Sequence, residues 1–178
     1  SVISYPRHEA LKFASYKSGM AVAGSDVLTI FDSAGIVLSE DTLNYTTPCL
    51  DVSDKYVLAY DLGGKNYAVY NTLTRVIRRD TEFKILCADM SDCGAFVLVT
   101  RSNETKYVVE LYNEALNHTM SVYKDHYVMD AAVRDDGERI VIVSAVPAQT
   151  DFGCEVSLCA GGQAEPLMTT TFGGLMPL

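Results

Sequence analysis

The sequence predicts an all-β protein built as an array of four-stranded antiparallel sheets, the kind of sheet that forms a blade of a β-propeller. Two landmarks that recur roughly every 40 residues indicate a tandem repeat. Short segments rich in Val, Ile and Tyr, separated by glycine-containing turns, indicate strands joined by hairpins. No segment shows a sustained helical period. We therefore expect about four blades, an incomplete propeller, in one domain that spans residues 1–178.

The first landmark is an apolar stretch, a polar turn and a second apolar stretch. Its turns contain Ser53, Ser91 and Arg134, which are separated by 38 and then 43 residues. The second stretch is almost entirely apolar, as expected of a strand covered on both faces. Its copies are residues 20–23, 56–60, 96–99 and 140–143. This pattern favours propeller blades, which cover each other's faces, over the alternative of a β-sandwich or an open β-array.

The second landmark is a strand that ends in an aromatic residue, followed by Asp or Asn and a turn. Its copies end at Asp32, Asn71 and Asn113, and a weaker copy ends at Ala160, in steps of 39, 42 and 47 residues. The interval between successive copies lengthens along the chain in the same way for both landmarks. They predict blades at about 11–40, 47–79, 85–123 and 127–171, with residues 172–178 as the start of a further blade.

Glycine marks the predicted hairpin turns. Asp-Gly and Gly-Gly pairs suit turns that require a positive φ, which glycine adopts without steric cost. We expect such turns at residues 33–35, 63–64, 92–94 and 135–137.

The charge balance argues against nucleic acid as a partner. The net charge is −9, and phosphate binding needs clustered Lys and Arg. Arg75, Arg78 and Arg79 are followed at once by Asp80 and Glu82, so this stretch predicts a solvated strand edge. No apolar run approaches the roughly 18 residues that span a bilayer, so we expect no membrane contact within this chain.

The cysteines predict buried free thiols rather than a disulfide framework, because their number is odd and their spacing irregular. Cys154 and Cys159 lie in one predicted strand at an odd separation, which places them on opposite faces and disfavours a bond between them. The five are Cys49, Cys87, Cys93, Cys154 and Cys159.

We assign no catalytic, cofactor-binding or metal-binding residue from the sequence, and we expect no cofactor. His8 and Glu9 begin like the helix of a zinc protease, but no second histidine follows at the required position. The other histidines and the cysteines nearest to them lack the ligand spacing of a zinc site. Those residues are His118, His126, Cys87 and Cys93.

Two Asp-x-Ser-Asp segments leave two interpretations open. Residues 51–54 and 89–92 could bind a hard cation such as calcium. They recur at matching positions of the repeat, however, and Asp and Ser side chains close tight turns by hydrogen bonding to the backbone. A structural turn is therefore the favoured interpretation.

The repeats resemble blades of WD40-like and quinoprotein-type propellers that lack the Trp-Asp signature. The stretch Tyr56–Asn71 and residues 130–143 are more closely similar to an uncharacterised bacterial propeller family of unknown function. The resemblance covers about residues 12–172. It implies an extracytoplasmic propeller, anchored in the membrane through a segment absent from this chain. The resemblance assigns no functional residue.

The function that these observations favour is a non-catalytic binding or scaffolding module of the cell envelope. Loops on one rim would hold a protein or a glycan, and the irregular loop at residues 147–152 is the longest candidate. We also expect self-association through the exposed apolar faces of the end blades. The alternatives are an enzyme, such as a hydrolase or lyase completed by missing blades, and a purely structural assembly unit.

Overall fold

The computed structural model describes residues 11–102, 106–147, 152–163 and 165–173. Within these residues, sixteen strands form four antiparallel sheets of four strands each, and no residue is helical. Strands follow one another in space in the order of the chain, as in a meander. The predicted all-β array of four-stranded blades is confirmed.

The chain divides after Ile85 into two compact units. In the first unit, blade 1 consists of β1 (Lys12–Tyr16), β2 (Gly19–Ala23), β3 (Val27–Phe31) and β4 (Val37–Thr42). Blade 2 consists of β5 (Pro48–Val52), β6 (Val57–Asp61), β7 (Asn66–Tyr70) and β8 (Arg75–Asp80). Their shared core is rich in small side chains, which let the two sheets approach closely. It includes Ala21, Ala23, Leu28, Ile30, Val57, Ala59, Ala68 and Tyr70.

The second unit holds the other two blades. Blade 3 consists of β9 (Lys84–Met90), β10 (Phe96–Arg101), β11 (Tyr107–Tyr112) and β12 (His118–Lys124). Blade 4 consists of β13 (Tyr127–Val133), β14 (Arg139–Pro147), β15 (Phe152–Ala160) and β16 (Pro166–Phe172). Their shared core includes Val97, Val99, Val109, Leu111, Val122, Val128, Ala131, Ile140, Ile142 and Cys159.

Burial of the second strand of each blade explains why its sequence is apolar throughout. Every residue of β6 and the first five residues of β10 are buried, so both faces of these strands are covered. Strand β14 departs from that expectation. Ile140 and Ile142 are buried against blade 3, whereas Val141 and Val143 on the other face are only half-buried. Blade 4 is therefore fully covered on one face only.

The predicted hairpin glycines adopt the expected conformation. The φ angle is positive at Gly35, Gly63, Gly94 and Gly137, with values between 71° and 93°. The structure also explains the second sequence landmark. The side-chain oxygen Oδ1 of Asp32 accepts hydrogen bonds from the backbone N–H groups of Ala34 and Ile36, and Oδ1 atoms of Asn71 and Asn113 close their turns likewise.

Candidate functional site

A concave groove lies between blades 3 and 4, in the second unit. In each blade, the turn between the first two strands and the turn between the last two lie at one end of the sheet; we call this end the turn rim. The groove opens at the turn rim of the second unit and has a volume of about 450 Å³. Its lining residues are Leu111, Asn113, Thr119, Gly137, Glu138, Arg139, Ala160, Gly161, Gly162 and Leu167.

Gly137 forms the floor where the first turns of the two blades meet. A Cβ atom at this position would lie 2.6 Å from Cβ of Ala95 and 3.2 Å from Sγ of Cys93. No side chain fits in that space, and the φ of +71° independently favours glycine. The sequence Asp-Asp-Gly, which predicted a turn, therefore also fixes how closely blade 4 approaches blade 3.

The two turns of blade 4 are joined to each other. The backbone N–H of Gly161 donates to the carbonyl oxygen of Glu138 at 2.6 Å. Gly162, with φ of +80°, has no heavy atom within 4 Å of the position of a Cβ. This side of the groove is consequently an open backbone surface that a ligand can approach closely.

The wall formed by blade 3 is held by local hydrogen bonds. Oδ1 of Asn113 accepts from the N–H groups of Ala115 and Asn117, at 3.1 and 3.0 Å. Oγ1 of Thr119 donates to the carbonyl of Leu111 at 3.1 Å. These bonds fix the turn, so the groove exists before any ligand binds.

The charge of the groove is concentrated at Glu138 and Arg139, which are both exposed. Neither side chain takes part in an ion pair with any residue that the structure describes. Leu167 is 53% exposed beside them. The arrangement offers an apolar surface and a guanidinium that can bind a carboxylate through two hydrogen bonds.

The first unit has a smaller groove at its turn rim, with a volume of about 60 Å³, lined by both turns of blade 1 and by Thr72 of blade 2. Nζ of Lys17 donates to Oγ1 of Thr72 across it at 2.7 Å, and Oη of Tyr16 donates to the carbonyl of Lys55 at 2.7 Å. These contacts close the space between blades 1 and 2, which leaves the groove of the second unit as the better binding site.

A buried polar cluster beneath blade 4 has the composition of a serine–lysine catalytic pair. Nζ of Lys124 lies 2.7 Å from Oγ of Ser157 and 2.9 Å from Oε1 of Glu155. The hydrogen bond from Lys124 is the main cause that holds the pKa of Glu155 below its ordinary value. Lys124 is thus held between the carboxylate of Glu155 and the hydroxyl of Ser157. Ser157 is fully buried, and the cluster joins blade 3 to blade 4.

A second ion pair joins blades 1 and 2. Asp41 Oδ2 accepts from Arg75 at 2.7 Å and from the hydroxyl of Tyr70 at 2.9 Å. Burial raises the pKa of Tyr70, so its hydroxyl remains a donor. Arg78 donates to the backbone carbonyls of Thr42 and Leu43. The basic stretch is an exposed outer strand, as predicted, but two of its arginines also bind the preceding blade.

The residues considered for a metal site lie apart. His118 bonds to Ser121 at 2.9 Å and contacts the ring of Tyr112 edge-on. Burial raises the pKa of Cys87 to about 12, so its thiol is neutral near physiological pH. Among the described residues, no three His, Cys, Asp or Glu side chains are grouped as metal ligands. His8 lies outside the described residues.

The Asp-x-Ser-Asp segments are turns only in part. Oγ of Ser53 accepts from the N–H of Tyr56 at 2.9 Å, and Oγ of Ser91 donates to the carbonyl of Ala95 at 3.0 Å, so the serines close the turns. Asp89 lies within β9 instead. Its Oδ2 accepts from the N–H of Val133 in blade 4 at 2.8 Å, a contact between blades that local sequence could not reveal.

The prediction of buried free cysteines is right for two of the five and wrong for three. All five cysteines are free; Cys154 and Cys159 are buried as expected, whereas the other three are half-buried. The loop predicted as the longest, at 147–152, falls largely on residues 148–151, which lie outside the described residues, as do residues 174–178. No helix in the described parts of the chain is long and apolar enough to cross a bilayer.

The sequence model of a family of unknown function, DUF5711, matches residues 2–159. The chain belongs to the DUF5711 family. A search of curated proteins found no match.

The fold of this DUF5711 chain is similar to that of WD40-type propellers of known structure. The WD40 domain of Neurospora crassa Pan2 superposes with a TM-score of 0.55 at 12% sequence identity, over 90% of this chain. The chain spans about half of that domain's length, 51%. The complex of KlAtg21 with the coiled coil of AgAtg16 matches with a TM-score of 0.57 at 9% identity, over 94% of this chain and 72% of that one. The WD40-like resemblance of the sequence is thereby confirmed for the fold.

Proposed function

We propose that this chain is a non-catalytic binding module that holds a short segment of a partner protein in the turn-rim groove between blades 3 and 4. The observation that carries the proposal is the exposed Arg139, which forms no ion pair with a described residue, beside the apolar surface of Leu167 in a preformed groove. Sites on rigid scaffolds bind without a large ordering cost, because their loops are already fixed.

The chemistry of the groove favours a segment with an acidic residue next to an apolar one. A carboxylate would bind Arg139, and the apolar side chain would cover Leu167 and Ala160. The volume of about 450 Å³ lies in the range of small ligand sites and accommodates one or two side chains. The backbone at Gly162 is uncovered, so an extended segment can approach it closely.

Two further considerations support a protein ligand over a glycan. The described residues that line the groove include no aromatic side chain on which a sugar ring could stack. Among the similar structures, KlAtg21 was solved in complex with a coiled coil, so a propeller of this type can hold a protein segment. Fold likeness does not identify this chain's own partner.

The test is selection of short peptides from a displayed random library on the immobilised chain. We expect enriched peptides to carry an acidic residue beside an apolar one and to lose binding to Arg139→Glu. Lys12→Glu makes the same charge change at an exposed position in β1, outside the groove, and should leave binding intact. Failure to enrich any peptide, or equal loss in both variants, would contradict the proposal.

We also propose that the protein acts outside the cytoplasmic membrane, anchored through a segment beyond these residues. This rests on the resemblance of Tyr56–Asn71 to an extracytoplasmic propeller family. Fractionation of cells with protease added from outside is the test: degradation in intact cells supports the location, and recovery in the cytosol argues against it.

A further inference from the structure

The outer strand of blade 4 has a free edge. In the described part of the chain, β16 pairs with β15 alone and forms the end of its sheet. All seven of its residues are exposed. An edge of this kind presents unpaired backbone N–H and C=O groups that can accept another strand.

The outer strands of the other three blades carry the charges that normally protect such edges. Strand β4 contains Glu40 and Asp41, strand β8 contains three arginines and an aspartate, and strand β12 contains Lys124. Strand β16 reads Pro-Leu-Met-Thr-Thr-Thr-Phe and contains no charged residue. Its three threonines favour an extended conformation, because β-branched side chains fit a pleated surface. This edge alone among the four lacks charge protection in the described residues.

An apolar sheet face adjoins the free edge. Met168 and Phe172 are opposite Leu158 and Cys154 of β15, so they share the face that is not covered by blade 3. They are 57% and 47% exposed. Val156, on the same face, is half-buried. A strand added to β16 would extend this apolar surface as well as complete the backbone pairing.

We propose that a second copy of this chain adds its own β16 to this edge, antiparallel, about a two-fold axis at Thr169. This register pairs all seven residues: Met168 lies opposite Thr170 of the second copy, and Leu167 lies opposite Thr171 of the second copy. An antiparallel pair of one segment with itself is a closed two-fold arrangement. It joins two blades into one eight-stranded sheet.

Charge explains why the second copy pairs at this strand. The chain carries a net charge of −9, so two copies repel each other over most of their surfaces. Self-pairing of β4 would place acidic residues near each other, and self-pairing of β8 would do the same with arginines. At β16, threonine and apolar side chains meet instead. Seven residue pairs bury less area than a standard interface, so the dimer is weak, with a dissociation constant on the order of micromolar or higher.

Sedimentation velocity over a range of protein concentrations tests the proposal. We expect a monomer–dimer equilibrium that Thr169→Lys shifts by at least about tenfold towards monomer, because opposed lysines repel. Val76→Lys on the exposed outer strand β8 is the matched control and should leave the equilibrium unchanged. Circular dichroism confirms that both variants fold. A wild-type chain that stays monomeric at every concentration, or equal shifts in both variants, overturns the proposal.

A cross-link tests the register. Residues directly opposite in an antiparallel pair have Cα atoms about 4.5–5.5 Å apart, within the range of a disulfide. Thr169→Cys should therefore give a covalent dimer under mild oxidation, far faster than Leu73→Cys, which lies in an exposed turn at 73% exposure. Equal cross-linking of the two variants overturns the register. Arg139→Glu should leave self-association unchanged, because Arg139 lies outside β16. Loss of groove binding and loss of strand pairing can therefore be told apart.

Discussion

Gly137 carries two constraints at one position, and each can be measured. An alanine there places a Cβ 2.6 Å from Cβ of Ala95 and strains a backbone with φ of +71°. We expect Gly137→Ala to lower the free energy of unfolding by about 2–4 kcal/mol, the sum of strain and overpacking. Gly162→Ala has the same backbone strain with open space around it, and should cost about 1–2 kcal/mol. Urea denaturation of both variants measures the two losses of unfolding free energy. Equal losses would mean that the close contact of Gly137 with blade 3 contributes nothing to the cost.

Asn113 shows why a polar residue recurs after the third strand of the repeat. Its Oδ1 accepts two backbone hydrogen bonds in the turn. We expect Asn113→Ala to cost about 1–2 kcal/mol of unfolding free energy, because two N–H groups lose their acceptor. Asn113→Asp retains an acceptor oxygen and should cost little. Thermal unfolding of the two variants measures this difference. An alanine variant as stable as the aspartate variant would disprove that the side-chain oxygen of residue 113 stabilises the turn.

At the scale of the element, the ion pair of Lys124 with Glu155 makes the contact between blades 3 and 4 depend on pH. The pKa of Glu155 is lowered in the folded state. A carboxyl of this kind adds stability above its unfolded pKa and loses it as the pH falls through the folded pKa. We expect Glu155→Gln to lower the unfolding free energy by about 1–3 kcal/mol at pH 7, with the deficit shrinking below about pH 4.

Denaturant titrations between pH 3 and 7 measure this effect. The pair of Lys106 with Asp125 serves as the control, because its side chains are 57% and 77% exposed and solvent weakens the attraction. Asp125→Asn should therefore change stability little at any pH. A deficit of Glu155→Gln that is the same at pH 3 and pH 7 would rule out the charge as its cause.

The strands could be predicted from sequence, and the contacts between blades could not. The apolar stretches predicted at residues 20–23, 96–99 and 140–143 lie within β2, β10 and β14, because apolar runs and glycine turns are local signals. The ion pair of Asp41 with Arg75 and the bond from Val133 to Asp89 join residues that are 34 and 44 positions apart. Nothing in the local pattern marks them.

The groove was missed for the same reason. Its floor is made by Gly137 against Ala95, and its wall by Asn113, so it exists only where two sheets meet. The segment Asp135-Asp136-Gly137 predicts a turn, and its sequence gives no sign of the contact with blade 3. The half-buried face of β14 was also not foreseen, because Val141 and Val143 are as apolar as their buried neighbours.

At the scale of the whole molecule, stability rests on packed sheets and not on covalent cross-links. All five cysteines are free, and burial raises the pKa of Cys87 to about 12. We expect the same Tm with and without dithiothreitol, and five thiols on titration of the unfolded chain. In the native chain Cys87 should react slowly, since burial raises its pKa and reaction requires an accessible thiolate. A Tm that falls on reduction would reveal a disulfide and contradict this prediction.

The two ion pairs between blades have opposite polarity along the chain. In the first unit the earlier blade supplies the acid, Asp41, and the later blade the base, Arg75; in the second unit Lys124 comes first and Glu155 second. A chimaera with blades 2 and 4 exchanged would bring two carboxylates together at one junction and two cations at the other. The repeats share an architecture, yet each blade carries the charge that its own neighbour requires. Changing the order of the blades would therefore destabilise the contacts between them.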